Sequence, residues 1–408
     1  MRIAYISADR GVPVIGRSGS STHVREIVRA FLDRGLDVTM LTACPSEGSP
    51  RSGLPCPIID LAGDPILQDL RMRTAEELRV SGHEALRASE IYGLLLNQTL
   101  LHELTRLRGT IDVVYERQSL WSFAGLQFAR RERLPFFLEV NAPLAEQQQE
   151  YRALDMVETA HAVESLLFAK ADRVLVTCSA LREYARARGA AHVRVIPCGV
   201  SESMFVDRAH PGPREGSEFV IGFVGSLKPW HGVEILLRAF ARLCDRNPAY
   251  RLLLVGDGPL LSDVEAFCRK RDIEERVTLA GAVDHTQVPA YLARMDVGAA
   301  PYPPLPSFYF SPLKVWEYAA AGVPIVASAS GDLPRLFPHR SAALLHPPGS
   351  VRKIVEHVES LRQNPELGRR LSRRARQVAK RHTWNRLALR IESLATHLLA
   401  RRSRQSEG

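Results

Sequence analysis

Short apolar runs alternate with helical patterns through almost the whole chain, in two successive series. Runs that are apolar on both faces and separated by helices are typical of a parallel sheet covered by helices on both sides. The first series is RIAYIS (2–7), DVTMLT (37–42), DVVYE (112–116), FFLEV (136–140), RVLVT (173–177) and VRVIP (193–197). The second is FVIGFVG (219–225), RLLLVG (251–256), RVTLAG (276–281), DVGAAP (296–301), PIVAS (324–328) and AALLH (342–346). The sequence therefore predicts two α/β domains in tandem.

A polar segment rich in proline and glycine, at 206–217, separates the two series and is predicted to be a linker. We assign residues 1–205 to an N-terminal domain and 206–382 to a C-terminal domain. The stretch 383–408 is helical in pattern and is predicted to cross back onto the N-terminal domain. Two such domains imply a cleft between them, where two-domain α/β proteins usually bind ligand.

Apolar stretches and cysteines restrict the class of protein. No run approaches the roughly eighteen apolar residues that a transmembrane helix needs, and the N-terminus lacks the pattern of a signal peptide. The six cysteines form no C-x-x-C pair and adjoin no histidine cluster. This pattern indicates free thiols rather than a zinc or redox site. We therefore expect a cytoplasmic protein.

Basic residues are concentrated near the end of the chain, whose formal net charge is +9. From Arg369 to Arg404 there are twelve Arg or Lys residues against a single acid, Glu392. Such a surface is typical either of a solvated helix face or of peripheral contact with an anionic membrane, at the inner face of the membrane in this case. We expect no nucleic-acid partner.

A loop rich in Gly and Ser follows the first predicted strand and leads into a helix. Gly16 and Gly19 permit close approach of the backbone to a ligand, and the helix start presents N–H groups and a positive dipole to an anion. The spacing matches neither the dinucleotide fingerprint nor a Walker loop. His23 lies in the first turn of the helix, where a structural role is the alternative to a role in the site.

The segment FVGSLKPWHG, at 223–232, carries a stronger signal in the second series. Lys228 and His231 follow the carboxyl end of a strand, where α/β sheets bind ligands. A cation at this place suits a diphosphate, because negative charge grows on the diphosphate as it departs. The sequence thus predicts a phosphate contact for Lys228.

The segment SPLKVWEYAAAG, at 311–322, predicts a helix that Ser311 opens, with Pro312 at its first position. The free N–H groups of that turn can bind a phosphate, and Lys314 adds charge there. Glu317 follows at i+3 on the same face and can accept hydrogen bonds from a ribose diol. The alternative is a surface Lys–Glu pair of little consequence.

Together these segments resemble the family 4 glycosyltransferases, which have the GT-B fold of two Rossmann-like domains facing across a cleft. The resemblance covers nearly the whole chain. It is carried, in order, by the loop before THVRE, YER at 115–117, LEVNAPL at 138–144, ADRVLVTCSALREY, VIPCGVSESMF at 195–205, FVGSLKPWHG, LLLVGDGP at 252–259, VTLAGAV at 277–283 and SPLKVWEYAAAGVPIVA.

The resemblance implies a retaining transferase that moves a sugar from a nucleotide-diphosphate donor to an acceptor. The donor is expected in the C-terminal domain and the acceptor, a sugar, a lipid-linked or another small molecule, in the N-terminal one. Glu317 should hold the ribose, and the Gly16–Gly19 loop should close over the donor. The residues expected near the base are Gly281, Ala282 and Val283, and those expected at the diphosphate are Ser311, Pro312, Leu313 and Lys314.

The chain departs from the family pattern at several positions. An Arg and a Lys common in the family are here Ser226 and His231, so the diphosphate clamp is assigned to Lys228 with His231 and Arg17. The first of two family glutamates is here Tyr309. Where many relatives have a histidine in the N-terminal cleft, this chain has EVNAP, and Asn141 is predicted to line the site. The acceptor-side candidates are Arg17, His23, Glu116, Arg117 and Glu139.

The sequence contains no D-x-D motif, so we expect no metal requirement and no cofactor besides the nucleotide-sugar co-substrate. Lys228, Lys314 and helix N-termini would then stabilise the departing diphosphate. Residues 47–110 contain more polar helix than a core needs and are interpreted as an acceptor-side elaboration. Two alternatives remain open, namely a nucleotide-sugar epimerase of the same fold and a non-catalytic nucleotide-sugar-binding protein.

Overall fold

The structure is a computed structural model that describes residues 1–16, 18–45, 54–63, 65–80, 85–151, 153–206 and 218–406. The described residues form two compact units. The first unit takes those within 1–16, 20–197 and 385–406, and the second takes 18–19 and those within 198–384. Of the predicted linker, residues 207–217 lie outside the described residues.

The first unit contains a parallel sheet in the strand order β3-β2-β1-β4-β5-β6-β7. Its strands are β1 (Arg2–Ser7), β2 (Asp37–Thr42), β3 (Ile58–Asp60), β4 (Val113–Arg117), β5 (Phe136–Val140), β6 (Arg173–Val176) and β7 (Val193–Val195). Their central members are buried on both faces, as the apolar runs predict. Sequence patterns missed β3, which is short and only half-buried at the sheet edge.

Helices connect these strands. They are α1 (Gly19–Asp33), α2 (Pro65–Val80), α3 (Ala85–Arg106), α4 (Ala124–Arg131), α5 (Leu144–Tyr151), α6 (Val157–Lys170) and α7 (Ser179–Ala187). The register aligns Tyr5, Tyr115 and Phe137 across β1, β4 and β5, and their rings stack at centroid distances of 5.2 and 6.4 Å. Because side chains alternate along a strand, this register also decides which face each polar residue at the strand ends occupies.

The second unit contains a parallel sheet in the order β10-β9-β8-β11-β12-β13. Its strands are β8 (Phe219–Val224), β9 (Tyr250–Val255), β10 (Val277–Leu279), β11 (Val297–Ala300), β12 (Ile325–Ser328) and β13 (Leu344–His346). All six were predicted, with ends that differ by one or two residues. In both sheets the strand order reverses beside the first strand of the unit, and the loops at such a switch point form a crevice for ligands.

The second unit has the helices α8 (Val233–Arg246), α9 (Leu261–Arg271), α10 (Val288–Leu292), α11 (Leu313–Ala321), α12 (Leu333–Leu336), α13 (Val351–Gln363) and α14 (Pro365–Ala379). Phe223, Leu236, Phe240 and Leu254 belong to its buried core. This core fixes β8, β9 and α8 as one block. The loops at their ends therefore have a rigid base.

The C-terminal helix α15 (Trp384–Ser406) packs on the first unit from Asn385 onward, as predicted. Its apolar face is buried, and two ion pairs flank it. Arg34 Nε lies 2.6 Å from Glu392 Oε2, and Arg402 Nη2 lies 2.7 Å from Asp172 Oδ1. Of the basic residues in this region, Arg402 is therefore engaged within the protein, and contact with a membrane stays a prediction.

Among the helices in the described ranges, none combines the length and apolar character that crossing a membrane would require. All six cysteines are free thiols, and Cys178, Cys198, Cys244 and Cys268 are buried.

Candidate functional site

Two glycine-containing loops pack backbone against backbone at the carboxyl ends of β8 and β9. A Cβ on Gly256 would lie 2.1 Å from Gly225 O, and one on Gly258 would lie 2.7 Å from Leu227 N. Leu227 N donates to Asp257 O at 2.9 Å. Gly225, Gly256 and Gly258 also have positive φ angles, which a side chain would strain. These glycines therefore permit the close backbone packing that holds the loop with Ser226, Lys228 and His231 in place.

Helix α11 is locked to the same end of the sheet by Tyr318. The Tyr318 hydroxyl accepts a hydrogen bond from Val224 N at 2.9 Å and donates one to Ala299 O at 3.2 Å. A Cβ on Gly298 would lie 2.6 Å from Tyr318 Cγ, so the glycine in β11 makes room for the ring. These contacts bring the first turn of α11 beside the end of β8.

The start of α11 differs from the prediction. The helix begins at Leu313 with Pro312 as N-cap, and no side chain caps it, whereas the sequence placed Ser311 at the opening and Pro312 in the first turn. The Ser311 hydroxyl instead accepts a hydrogen bond from Cys198 N at 2.9 Å. Pro312 therefore occupies the N-cap position. The first N–H group of the helix is that of Leu313.

Lys314 is a buried cation in this first turn, with a side chain that is 6% exposed. Its Nζ lies 3.8 Å from the centroid of the Phe223 ring, and a Cβ on Gly225 would lie 3.1 Å from it. No residue that the structure describes accepts a hydrogen bond from this Nζ. Burial lowers the pKa of Lys314 to about 7, although the nearby Glu317 opposes the shift.

His231 closes the other side of the loop after β8. Its Nδ1 lies 2.6 Å from Ser226 O and 3.3 Å from Ser226 Oγ. Burial, and next the positive charge of Lys314, lower the pKa of His231 to about 3, so the ring is neutral at physiological pH. Lys228 Nζ lies 5.1 Å from the centroid of the exposed Trp230 ring. The structure thus places four predicted residues at the carboxyl end of β8, namely Ser226, Lys228, His231 and Lys314.

Glu317 is buried one turn further along α11 and is paired with a residue that the sequence analysis did not identify. His285 Nε2 lies 2.9 Å from Glu317 Oε1. His285 belongs to a short 3-10 helix that Asp284 and Gln287 cap reciprocally. The surface-pair alternative for Lys314 and Glu317 is wrong, because both side chains are buried.

The predicted base-binding residues follow β10. Gly281 has a φ of 66°, and an added Cβ there would meet no atom of the described residues within 4 Å. Gly281 O accepts a hydrogen bond from Gly256 N at 2.8 Å. Ala282 is exposed and Val283 is half-buried. The segment 281–283 is thus hydrogen-bonded to the loop after β9, and Gly281 has room for a side chain. Its role toward a base stays a prediction.

The loop after β1 is only partly described, because Arg17 lies outside the described residues. A Cβ on Gly16 would lie 2.7 Å from Ser21 Oγ, so only glycine fits there. A Cβ on Gly19 would lie 3.5 Å from Leu313 Cδ1. Gly16 therefore serves close packing, whereas a side chain at Gly19 would make an ordinary contact, and the predicted role of both toward the donor stays a prediction.

In the first unit, three predicted site residues and Tyr115 meet around the carboxylate of Glu139, which was itself predicted. Its oxygens lie 2.8 Å from His23 Nε2, 3.2 Å from Arg117 Nη1 and 2.5 Å from both Asn141 Nδ2 and the Tyr115 hydroxyl. Burial alone would raise the pKa of Glu139, but His23, Arg117 and Tyr115 outweigh it and hold that pKa well below its usual range. The cluster is an ionised carboxylate surrounded by donors.

Glu116 lies apart from that cluster, on the opposite face of β4. It is fully buried, a Cβ on Gly125 would lie 2.2 Å from its Oε2, and Ile6 packs nearby. Burial raises the pKa of Glu116 to about 8, against a lowering influence of the Ser122 hydroxyl. Glu116 is thus a neutral acid at pH 7.

Two protein families match the chain in succession. Residues 18–199 match the family described as "Glycosyl transferase 4-like domain", and residues 218–364 match "Glycosyl transferases group 1". The first stretch includes β2 to β7, the second includes β8 to β13, and between them they include both clusters described above.

Individual relatives match over nearly the full length. The chain is 27% identical to glycogen synthase of Mycobacterium tuberculosis over 392 residues, which covers 92% of this chain and 90% of the relative. It is 28% identical to D-inositol 3-phosphate glycosyltransferase of Segniliparus rotundus, over 90% and 81% of the two chains.

Solved structures share the fold. Sucrose-phosphate synthase from Thermosynechococcus elongatus superposes with a TM-score of 0.75 at 23% identity, covering 98% of this chain and 99% of the other. Anabaena Alr3699/HepE in complex with UDP-glucose gives 0.71 at 18% identity, covering 97% and 100%.

Proposed function

The chain belongs to the family 4 glycosyltransferases of the GT-B fold, and from that membership we propose that it transfers a sugar from a nucleoside-diphosphate sugar to an acceptor, with retention of configuration and without a metal ion. The observation that carries the proposal is the buried ammonium group of Lys314. It lies beside Gly225 at the end of β8, without a hydrogen-bond acceptor among the described residues.

A buried ammonium group without a hydrogen-bond acceptor is costly, and a diphosphate would supply the missing acceptors and further negative charge. The free N–H groups at the start of α11 add a positive dipole at the same place. As the bond between the sugar and the diphosphate breaks, negative charge accumulates on the phosphate oxygens. Lys314 and Lys228 would then stabilise the transition state more than the bound substrate.

The Glu317 carboxylate is suited to a ribose diol, since an ionised carboxylate accepts two hydrogen bonds from neighbouring hydroxyls. His285 would hold this carboxylate in one orientation. Solved structures of Anabaena Alr3699/HepE are complexes with UDP or UDP-glucose, so uridine is the first base to test. Gly281, Ala282 and Val283 would border that base.

Retention follows in the proposal from a displacement on one face of the sugar. The anomeric carbon loses its bond to the phosphate oxygen and gains one to the acceptor oxygen on the same face, while the leaving oxygen takes the acceptor proton. The protein then contributes positioning and electrostatic stabilisation. The absence of D-x-D from the sequence supports a reaction in which lysines and helix N–H groups replace the metal.

The first test is a thermal-shift panel of UDP, GDP and ADP. One nucleotide is expected to raise the melting temperature, since a ligand at a hundred times its dissociation constant adds about 2.7 kcal/mol. The matching nucleotide-sugar is then incubated with candidate acceptors, with and without EDTA. Release of nucleoside diphosphate that requires the acceptor and survives EDTA supports the proposal, and NMR of the product reports its anomeric configuration.

Three results would contradict it. Interconversion of the sugar without release of the nucleotide would indicate an epimerase. Binding without turnover with any acceptor would indicate a non-catalytic binder, and complete loss of turnover in EDTA would remove the metal-free step.

A further inference from the structure

The hydrogen bond of His231 determines which of its two ring nitrogens carries a hydrogen. His231 Nδ1 lies 2.6 Å from the backbone oxygen of Ser226. Because a carbonyl oxygen only accepts, the hydrogen of this bond belongs to Nδ1. In a neutral imidazole the other nitrogen, Nε2, then has a lone pair and no hydrogen. His231 therefore presents a hydrogen-bond acceptor at Nε2.

Two lysines favour the neutral form of this ring. Burial lowers the pKa of His231 to about 3, and the charges of Lys314 and Lys228 contribute, whereas the hydrogen bond to Ser226 O opposes the shift. A bound diphosphate would raise this pKa. The rise would have to carry it from about 3 to 7 before half of the rings were charged at pH 7. We therefore expect His231 to stay neutral beside a diphosphate, without the positive charge that a clamp needs.

The Nε2 atom of His231 is accessible to a ligand. Within the described ranges, the ring makes its hydrogen bonds through Nδ1 alone. The ring is half-buried, and its Nε2 keeps some accessible surface, unlike the enclosed Nε2 of His346. The exposed indole of Trp230 lies beside it, with 6.2 Å between the two ring centroids. A group that enters from solvent can therefore reach the lone pair.

The loop that carries His231 is held against the loop after β11. Gly232 has a φ of 73°, and a Cβ there would lie 1.9 Å from Pro301 O. The His231 ring lies 6.5 Å from the Tyr302 ring, measured between centroids. Lys314 Nζ lies 5.7 Å from the centroid of the same Tyr302 ring. His231 and Lys314 therefore adjoin one aromatic ring at the carboxyl ends of β8 and β11.

This place lies on the other side of β8 from the segment proposed for the base. The strands run in the order β10-β9-β8-β11. Gly281 follows β10, as does His285, the partner of Glu317, whereas Tyr302 follows β11. A donor with its base at Gly281, its ribose at Glu317 and its diphosphate at Lys314 would therefore extend its sugar toward β11.

A lone pair in this place needs a hydrogen-bond donor, and the parts of a nucleotide-sugar differ in what they offer. The ionised diphosphate has acceptor oxygens only, so it would place negative charge against the lone pair of Nε2. The base and the ribose are assigned to the opposite side of β8. The hydroxyl groups of the sugar remain, and each of them can donate one hydrogen.

We propose that His231 Nε2 accepts a hydrogen bond from a hydroxyl group of the donor sugar and thereby selects nucleotide-sugars that have this hydroxyl. The inference rests on the proposed transferase function, because that function places the donor in this site. It leaves the diphosphate to Lys314, Lys228 and the helix N–H groups. A site built to bind a hydroxyl rejects an analogue that lacks it, because the acceptor is then left unpaired.

The first measurement is nitrogen-15 NMR of the full chain with labelled histidines at pH 8, with and without a nucleotide-sugar. Comparison with His231→Asn identifies the signals of His231. His357 is an internal reference for the opposite tautomer, because its Nε2 donates to Leu345 O at 3.1 Å. We expect a hydrogen on Nδ1 of His231 in both states and a shift of its Nε2 signal when the sugar binds. A hydrogen on Nε2 in either state would overturn the inference.

The second measurement is the dissociation constant of the nucleotide-sugar and of the free nucleoside diphosphate. His231→Asn retains a donor for Ser226 O but lacks the Nε2 acceptor. It should weaken binding of the nucleotide-sugar about five- to tenfold, since one hydrogen bond is lost, and change that of the diphosphate less than about twofold. Donor analogues in which fluorine replaces one sugar hydroxyl at a time cannot donate at that position. With one analogue, the wild type and the variant should bind equally.

His231→Lys is a second variant, in which a cation replaces the acceptor. It should bind the nucleoside diphosphate at least as tightly as the wild type and discriminate less against that one fluorinated analogue. His357→Asn is the matched control, because His357 is also half-buried and bonded to a backbone oxygen, but on α13. It should leave both dissociation constants within about twofold of the wild type.

The outcomes separate this inference from the function on which it rests. Equal weakening of diphosphate and nucleotide-sugar binding in His231→Asn would place His231 at the diphosphate and overturn the inference, while the transferase function stands. A difference between the wild type and His231→Asn that persists with every fluorinated analogue would do the same. A wild type that binds neither nucleoside diphosphates nor nucleotide-sugars would overturn the proposed function together with this inference.

Discussion

Two clusters of buried charge, one in each unit, both contain predicted site residues and differ in how their charges are satisfied. Glu139 in the first unit is buried and surrounded by donors from His23, Arg117, Tyr115 and Asn141. Lys314 in the second unit is equally buried, yet its Nζ has no acceptor in the part of the chain that is described. One charge is neutralised within the protein, and the other is not.

We interpret this difference as a division between residues that hold the fold and residues that are proposed to bind a ligand. Breaking a buried ion pair costs stability because it strands the partners. Removing a buried charge that has no hydrogen-bond acceptor removes an unfavourable desolvation cost, so we expect it to harm ligand binding rather than stability. We therefore expect substitutions around Glu139 to lower stability first, and substitutions of Lys314 to lower activity without lowering stability.

The largest effect is expected for Lys314→Met. Loss of a charge that meets the transition state lowers turnover by about a hundredfold, while the free energy of unfolding of the unliganded protein rises. Steady-state kinetics and urea unfolding measure the two effects. Lys228→Met, at a less buried cation, should cost about tenfold in turnover.

Lys353→Met is the control for these lysine variants, because Lys353 Nζ bonds to Glu356 at 2.6 Å on a partly exposed helix face. It should change turnover by less than about twofold. Turnover near that of the wild type in both Lys314→Met and Lys228→Met would remove the lysine clamp from the mechanism.

Glu139→Gln should lower the free energy of unfolding by about 3 kcal/mol, because His23 and Arg117 lose their carboxylate. Since the pKa of Glu139 is depressed in the folded state, its contribution is present above the unfolded pKa of about 4.5 and is lost as the pH falls through the folded value. Urea unfolding at pH 7 and pH 4 checks this. An unchanged stability at pH 7 would mean that the cluster does not hold the fold.

Glu116→Gln sharpens the contrast within one sheet. The folded pKa of Glu116 is raised to about 8 by burial, so its contribution is complete below about pH 4.5 and is lost as the pH rises toward 8. Between pH 4.5 and pH 6 the wild type should lose about 2 kcal/mol of stability through this group. The glutamine variant, which mimics the neutral acid, should lack that loss; identical pH profiles would contradict the assignment.

The smallest effect is expected for His285→Ala. Loss of one hydrogen bond to the Glu317 carboxylate should raise the KM for the nucleotide-sugar by about fivefold, with little change in kcat. A 2′-deoxyribose analogue of the donor is the diagnostic substrate. If Glu317 binds the ribose diol, the variant and the wild type should differ less with the analogue than with the natural donor.

The sequence predicted the sheets well because buried parallel strands carry a strong apolar signal. The bounds of β1, β2 and β5 coincide with predicted runs, whereas the half-buried β3 has no such signal. The predicted start of α11 was wrong because the Ser311 hydroxyl accepts a hydrogen bond from the backbone N–H of Cys198, which is distant in the chain. A local capping pattern cannot reveal such a competitor.

The candidate site was predictable in its residue types but not in its pairings. Alternation along β4 already implies that Glu116 and Arg117 face opposite sides of the sheet. The sequence analysis could therefore have kept these two residues apart instead of assigning both to the acceptor side. The His285–Glu317 pair spans 32 positions and no sequence pattern signals it.

The most direct test of the central claim is the number of protons taken up when a nucleotide-sugar binds. The pKa of Lys314 is about 7 in the unliganded protein, so at pH 8 the group is mostly neutral. An adjacent diphosphate would restore its charge. A nucleotide-sugar has no phosphate group that titrates near neutral pH, because its terminal phosphate is esterified.

Calorimetric titration at pH 8, in two buffers of different ionisation enthalpy, counts these protons. We expect an uptake approaching one proton for each donor bound by the wild type and none for Lys314→Met. Donor binding by the wild type without any proton uptake would contradict the account, because the diphosphate would then not meet the buried lysine.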